Sequence, residues 1–179
     1  MIKVIAISTV IIVVIVAAVL AYAATLPDRF QVQRSLSIRA SADTIFPLIN
    51  DLQVFNTWNP FDKHDPNIKG TYSGPTSGVG AGYGFESKTA GTGSLEIVDT
   101  VPPSRVTMRL VMTKPIAADN RVTFTLEPAG NATRVTWAME GGVPFVGKLI
   151  HLVINMDKMV GKNYEAGLAD LKDLAERSA

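Results

Sequence analysis

The first hydrophobic feature of the chain is a run from Val4 to Ala24, 21 residues in which only Ser8 and Thr9 are polar and none is charged. As a helix rising about 1.5 Å per residue it extends roughly 32 Å, enough to cross the hydrocarbon of a bilayer. Pro27 marks its end. Beyond it the period changes: Phe30, Val32, Leu36 and Ile38 alternate with polar residues, which predicts a half-buried strand over 30–38. Ser41 is placed to cap a helix that carries Ile45, Phe46, Leu48, Ile49 and Leu52 on one face. A second short helix is predicted over 51–58, closed by Asn59-Pro60, because a proline disfavours helix in the residue before it.

From Ile68 onward the pattern predicts short antiparallel strands at 68–73, 83–88, 94–99, 106–113, 121–127 and 133–140, separated by proline- and glycine-bearing turns. Three of them alternate cleanly. Val106, Met108, Leu110 and Met112, then Val122, Phe124 and Leu126, then Val135, Trp137 and Met139 fall on one side of a sheet. Thr107, Arg109, Thr123, Thr125 and Thr136 fall on the other, expected to face water. From Phe145 to Ala175 apolar residues recur at helical spacing without a proline, which predicts one long amphipathic helix. An apolar sheet face and an apolar helix stripe bury each other, so the fold class is α+β. The domain division expected is a membrane segment over 1–26 and a single folded unit over 27–179.

Charge narrows the partners. The chain carries 17 Lys plus Arg against 16 Asp plus Glu, and Lys3 accounts for the surplus, so the folded part is formally neutral. No basic stripe is available for a phosphate backbone, which argues against nucleic acid. Zero cysteines exclude disulfides, thiol nucleophiles and thiolate metal sites. The apolar run is longer than the roughly 7–15 residues of a signal-peptide core, which favours an anchor, although Lys3 and Ala21-Tyr22-Ala23 also fit a cleaved secretory signal. Lys3 near the amino terminus favours an inside start and places the domain on the external side, whereas Arg29, Arg34 and Arg39 near the other end make the charge rule ambiguous.

Reactive groups are few. Asp62-Lys-His-Asp65 is the densest ionisable cluster, but neighbours in a proline-bounded loop face water more often than one metal or proton, so a solvated loop is expected. His151 is read as a boundary histidine on the C-terminal helix rather than a base. Gly78-Val-Gly-Ala-Gly-Tyr-Gly84 fails the dinucleotide fingerprint, since Tyr83 and Phe85 occupy the place of the third glycine, and a hairpin or bulged strand is expected instead. Glu86, Glu96 and Glu140 all alternate with inward residues and are placed outside. Asn131-Ala-Thr133 is read as a chance sequon in a turn.

The chain resembles the START/Bet v 1-like superfamily of polyketide cyclase-like (SRPBCC) proteins. The resemblance covers roughly 30–175 and is carried by Arg34-Ser-Leu-Ser-Ile-Arg-Ala-Ser-Ala-Asp-Thr-Ile-Phe46, the Trp58-Asn-Pro-Phe61 turn, Tyr72-Ser-Gly-Pro-Thr-Ser-Gly-Val-Gly80, Gly91-Thr-Gly-Ser-Leu-Glu-Ile97 and Thr133-Arg-Val-Thr-Trp137. It implies a helix-grip fold, a curved antiparallel sheet of about seven strands wrapped around a long C-terminal helix. It also implies an apolar cavity for a lipid, polyketide or other hydrophobic small molecule. Composition alone reads Met108, Leu110, Met112, Phe124, Trp137, Met139, Met156 and Met159 as core; the resemblance turns them into expected lining, with methionines as an adaptable wall. Trp58 and Phe61 either cover an entrance or plug the core. The oxygenase branch needs Cys and His ligands this chain lacks, so no metal and no cofactor is expected. The expected function is membrane-anchored binding or transfer of a hydrophobic molecule; the alternatives are a cyclase or dehydratase, with catalytic residues unknown, and a non-catalytic envelope interaction module.

Overall fold

Alternation along the chain becomes seven strands in the computed structural model, which describes residues 2–63, 65–152 and 155–178. They are β1 (Arg29–Ile38), β2 (Lys69–Ser73), β3 (Gly82–Ser87), β4 (Gly91–Val101), β5 (Arg105–Lys114), β6 (Ala118–Ala129) and β7 (Ala132–Gly142). They form one open antiparallel sheet in the order β1-β7-β6-β5-β4-β3-β2. Register shifts in the β4–β5 pairing, at Thr92/Gly93 and Ile97/Asp99, mark β-bulges, which add twist to this half of the sheet. Helix α1 (Ile2–Thr25) precedes the sheet. It is long and apolar enough to cross a membrane by length and composition, a property that a signal sequence shares.

Consecutive strands β1 and β2 lie at opposite edges, and the gap between them is bridged by α2 (Ala42–Asn50), α3 (Leu52–Trp58) and α4 (Pro60–Lys63). Ser41 caps α2, its hydroxyl accepting from Thr44 N at 3.2 Å; Asp51 caps α3, its carboxylate accepting from Gln53 N at 2.8 Å. The third helix was not expected. Asn59-Pro60 continues the chain as a helical turn, because Asn59 Oδ1 accepts from Phe61 N and proline suits the first helical position.

The C-terminal segment is two helices rather than the single one that the spacing predicts: α5 (Phe145–His151) and α6 (Met156–Arg177). Periodicity does not register the break, but capping does. Asn155 Oδ1 accepts from Lys158 N at 2.9 Å, and Asp157 follows in the first turn of α6. Val160, Tyr164, Leu168, Leu171 and Ala175 form the buried stripe of α6, which packs chiefly on β1 and also on β7, α2, α3 and α4.

The inward strand residues bury as alternation requires, with Val106, Met108, Phe124 and Val135 wholly inaccessible. Thr107 departs from its expected exposed place and is buried, whereas Arg109 is exposed and Thr123, Thr125 and Thr136 are half-buried. Phe55, Trp58, Phe124 and Trp137 meet edge-on or tilted in one cluster, and Tyr164 of α6 stacks on Trp137 at 3.9 Å. Gly167 makes this approach feasible, since a Cβ there would lie 2.7 Å from Trp137 Cζ3 and 2.8 Å from Pro60 Cδ.

One ionic clamp ties β1 to α6. Arg34 places Nε 2.6 Å from Glu165 Oε1 and its two Nη atoms 3.0 and 3.1 Å from the Asp157 carboxylate oxygens. The guanidinium hydrogen bond holds the Asp157 carboxyl below its ordinary range. A carboxylate lowered in the folded state stabilises above its unfolded pKa of about 3.9 and loses that contribution as pH falls through the folded value. Arg34→Met is therefore expected to melt below the parent at neutral pH, with the gap narrowing as pH falls below about 4. Thermal melts across that range check it, and a gap independent of pH refutes the ionic origin.

Candidate functional site

The pairing register aligns the inner face into rows that cross the strands. One row contains Ile97, Met108, Val122, Met139 and Val32. The next contains Tyr83, Leu95, Leu110, Asn120, Gly141 and Phe30, and the one beyond it Phe85, Gly93, Met112 and Ala118. Over the second and third rows, and under α5 and α6, lies a cavity of about 470 Å³. That is within the roughly 300–1,000 Å³ range of small-molecule sites. Ile116 and Met159 stand at its rim, each about half exposed.

Phe61, Leu110, Met112, Trp137, Met139 and Met156 line this cavity, as does Met159. Trp58, Met108 and Phe124 do not, which corrects their expected place. Alternation assigns a face but not a depth along the strand: Phe124 sits against Phe55 and Trp58 of α3, and Met108 is on β5, the strand on which α2 packs. Trp58 plugs the core, its Nε1 donating to Leu48 O at 2.9 Å with Phe55 and Phe124 edge-on to its ring.

The Asp62 to Asp65 cluster divides into separate roles, which corrects the expected solvated loop. Asp65 is buried and staples the start of β2 to the β3–β4 turn, accepting from Ser87 Oγ at 2.5 Å, Asn67 N at 3.0 Å and Thr89 Oγ1 at 3.2 Å. The Ser87 hydrogen bond leads in lowering its pKa. Lys63 turns outward, its Nζ 2.7 Å from Asp170 Oδ2 on α6. His64 lies outside the described residues, as does the side chain of His151.

Asp62 lines the cavity. The α4 turn carries it there, pinned to α6 by the Lys63–Asp170 pair and by Pro60 packed against Gly167. Tyr83 donates its hydroxyl to Asp62 Oδ1, and Asn59 donates Nδ2 to Oδ2 at 2.6 Å. Burial raises the Asp62 pKa against the opposing effect of those two hydrogen bonds. Burial, then the neighbouring Asp62, also raises that of Tyr83. Gly70 leaves room for the phenol, because a Cβ there would lie 2.5 Å from Tyr83 Cε2 and 2.6 Å from its oxygen. Asn120, 7% exposed, also lines the cavity, and its Oδ1 has no hydrogen-bond partner among the described residues.

Sequence reading missed Asp62, Tyr83 and Asn120 as one site. Asn59-Pro60, read as the end of a helix, is also a helix-start pattern that could have located the turn carrying Asp62, and the alternation of Val122 and Phe124, extended back by one step, could have pointed Asn120 inward. Glu86, Glu96 and Glu140 are exposed, on the side that alternation assigned to them. Gly78 and Gly80 have φ of +79° and +89° in the turn before β3. Among the described residues no group of three His, Asp or Glu is placed to hold a metal ion.

Helix α5 links this cavity to α1. Gly147 and Ile150 of α5 line the cavity, and α5 packs on α1. Lys148 Nζ lies 2.7 Å from Asp28 Oδ1, and Val143 N donates to Asp28 O at 2.8 Å, just beyond the end of α1.

Residues 29–176 match the family described as polyketide cyclase/dehydrase and lipid transport. No curated protein matches the sequence. Among solved structures, a protein from Mesorhizobium loti aligns with TM-score 0.62 and 14% identity, covering 84% of this chain and 99% of its own. A protein from Chromobacterium violaceum aligns with TM-score 0.58 and 15% identity, over 84% and 99%. The di-domain ARO/CYC StfQ from the steffimycin biosynthetic pathway aligns with TM-score 0.62 and 10% identity, and this chain spans 51% of its length. At these identities the likeness is one of fold.

Proposed function

Since the chain belongs to the polyketide cyclase/dehydrase and lipid transport family, we propose that it binds or transfers a hydrophobic small molecule in the cavity between sheet and helices, with α1 holding that cavity at a membrane. The observation that carries this reading is a cavity of about 470 Å³ whose lining is largely aliphatic and aromatic. Burying an apolar molecule there gains about 25 cal/mol per Å² removed from water, with few polar contacts to restrict the choice. In this reading residues 1–26 are the anchor and 27–179 the ligand-binding domain, on the external side of the membrane. The α5 contact and the Lys148–Asp28 pair support it, because they bring the cavity wall to the end of the anchor.

Native mass spectrometry of the full-length protein released from detergent is expected to show a copurified apolar molecule. A protein that stays empty after incubation with membrane lipid extract overturns the reading and favours an interaction module. The second reading, a cyclase or dehydratase, is favoured by the Asp62–Tyr83 pair. A half-buried carboxyl of raised pKa facing an apolar cavity is the type of group that exchanges a proton with a bound carbonyl compound. Turnover of the copurified molecule, lost in Asp62→Asn, separates this reading from simple carriage.

A further inference from the structure

From the distribution of polar groups in the cavity we infer that its ligand is a neutral apolar molecule bearing a hydroxyl, an alcohol or phenol, which donates to Asp62, and that the cavity rejects the corresponding carboxylic acids and phosphates. This rests on the cavity reading above and adds the chemical class of the occupant.

Asp62 is the one carboxylate among the described lining residues, and none of those lining residues is a Lys, Arg or His. An anionic head would enter an apolar space next to a like charge with no cation to neutralise it, which is the costliest arrangement available. The two donors on Asp62, Tyr83 and Asn59, each occupy one oxygen. An ionised carboxylate has about four lone-pair sites, so both oxygens retain capacity to accept. What Asp62 lacks is a further donor, and a ligand hydroxyl supplies it, while the buried Nε1–H of Trp137, also a lining residue without a partner among the described residues, leaves room for an acceptor elsewhere in the cavity.

Asn120 marks the far end of the same row. It lines the cavity, while its Oδ1 is buried against Gly141 and has no partner among the described residues. Tyr83 and Asn120 belong to the same row, separated by Leu95 and Leu110. Strands about 4.8 Å apart put their backbones roughly 14 Å from each other, with an apolar floor between. A ligand lying along the row keeps its apolar body on the two leucines and its hydroxyl at the Asp62 end.

The test is photolabelling of the full-length protein in detergent by diazirine-bearing hexadecanol and, separately, diazirine-bearing hexadecanoic acid, read by intact mass at about pH 8, where the free acid is ionised. The expected result is labelling by the alcohol at about tenfold the efficiency of the acid. In Asp62→Asn, which keeps the shape and removes the charge, that preference is expected to collapse through gain of acid and loss of alcohol. A folding control accompanies it. Burial raises the Asp62 pKa, so its ionised form opposes folding at neutral pH, and Asp62→Asn is expected to melt no lower than the parent. Equal labelling of the parent by alcohol and acid overturns the inference and leaves the cavity reading standing. A preference for the alcohol that persists in Asp62→Asn also overturns it. Labelling by neither overturns the cavity reading itself, and the inference with it.

Discussion

Truncating Trp58 to alanine is expected to cost about 3–5 kcal/mol of stability, the range for removing a fully buried tryptophan. The indole is 2% exposed and meets Phe55 at 4.8 Å, Trp137 at 5.7 Å and Phe124 at 6.0 Å, each close to perpendicular. These neighbours come from α3, β7 and β6, so the space left by the indole cannot be closed by moving a single element. The hydrogen bond from Nε1 to Leu48 O, which fastens α3 to α2, is lost as well. Trp137 is then the only remaining tryptophan of the two in the chain, and its fluorescence reports denaturant unfolding of the variant directly. Because Trp58 is not part of the cavity wall, the folded fraction is expected to bind apolar ligand as the parent does. A loss below about 1 kcal/mol, or weakened binding at unchanged stability, would mean that this ring covers an entrance and is not the plug of the core.

The contrast between Trp58 and Asp62 shows where the sequence was readable. Apolar alternation at Val122, Phe124 and Leu126 and at Val135, Trp137 and Met139 identified the buried face of β6 and β7, because every side chain on such a face must obey the same period. The helix capped by Ser41 and the antiparallel order of the later strands followed from equally local rules. The seven-stranded sheet itself was an implication of family resemblance, since no local pattern brings β1 beside β7 or leaves β2 at the far edge. Depth was illegible. Met108 and Leu110 are adjacent inward positions of one strand, yet only Leu110 lines the cavity. Strand β5 is covered by α2, and no pattern within the strand records where that cover ends; the unbroken apolar spacing likewise concealed where Asn155 restarts the C-terminal helix. The polar part of the site was obscured for a related reason. Asp62, Tyr83 and Asn120 come from a single helical turn and two strands distant in sequence, and their placement around one cavity is produced by the sheet register and, for Tyr83, by the glycine at position 70.

Replacing Leu110 by glutamate tests the cavity at the middle of its floor. Leu110 stands in the row between Leu95 and Asn120, is half-buried and lines the cavity. With the cavity empty, a carboxylate there remains hydrated, so the fold is expected to survive more readily than after a charge is placed at wholly buried Met108. An apolar ligand must strip that water away. Leaving a charge unsolvated costs several kcal/mol, and each 1.4 kcal/mol or so is tenfold in affinity, so binding of an apolar ligand is expected to fall at least about 100-fold. Leu110→Met preserves volume and hydrophobicity and is expected to bind within a few-fold of the parent. Titration of both folded variants with the copurified molecule, or with hexadecanol, gives the comparison. If folded Leu110→Glu binds as tightly as the parent, the ligand does not rest on this part of the sheet, and the exposed apolar residues of α5, Phe145 and Val146, become the surface to examine.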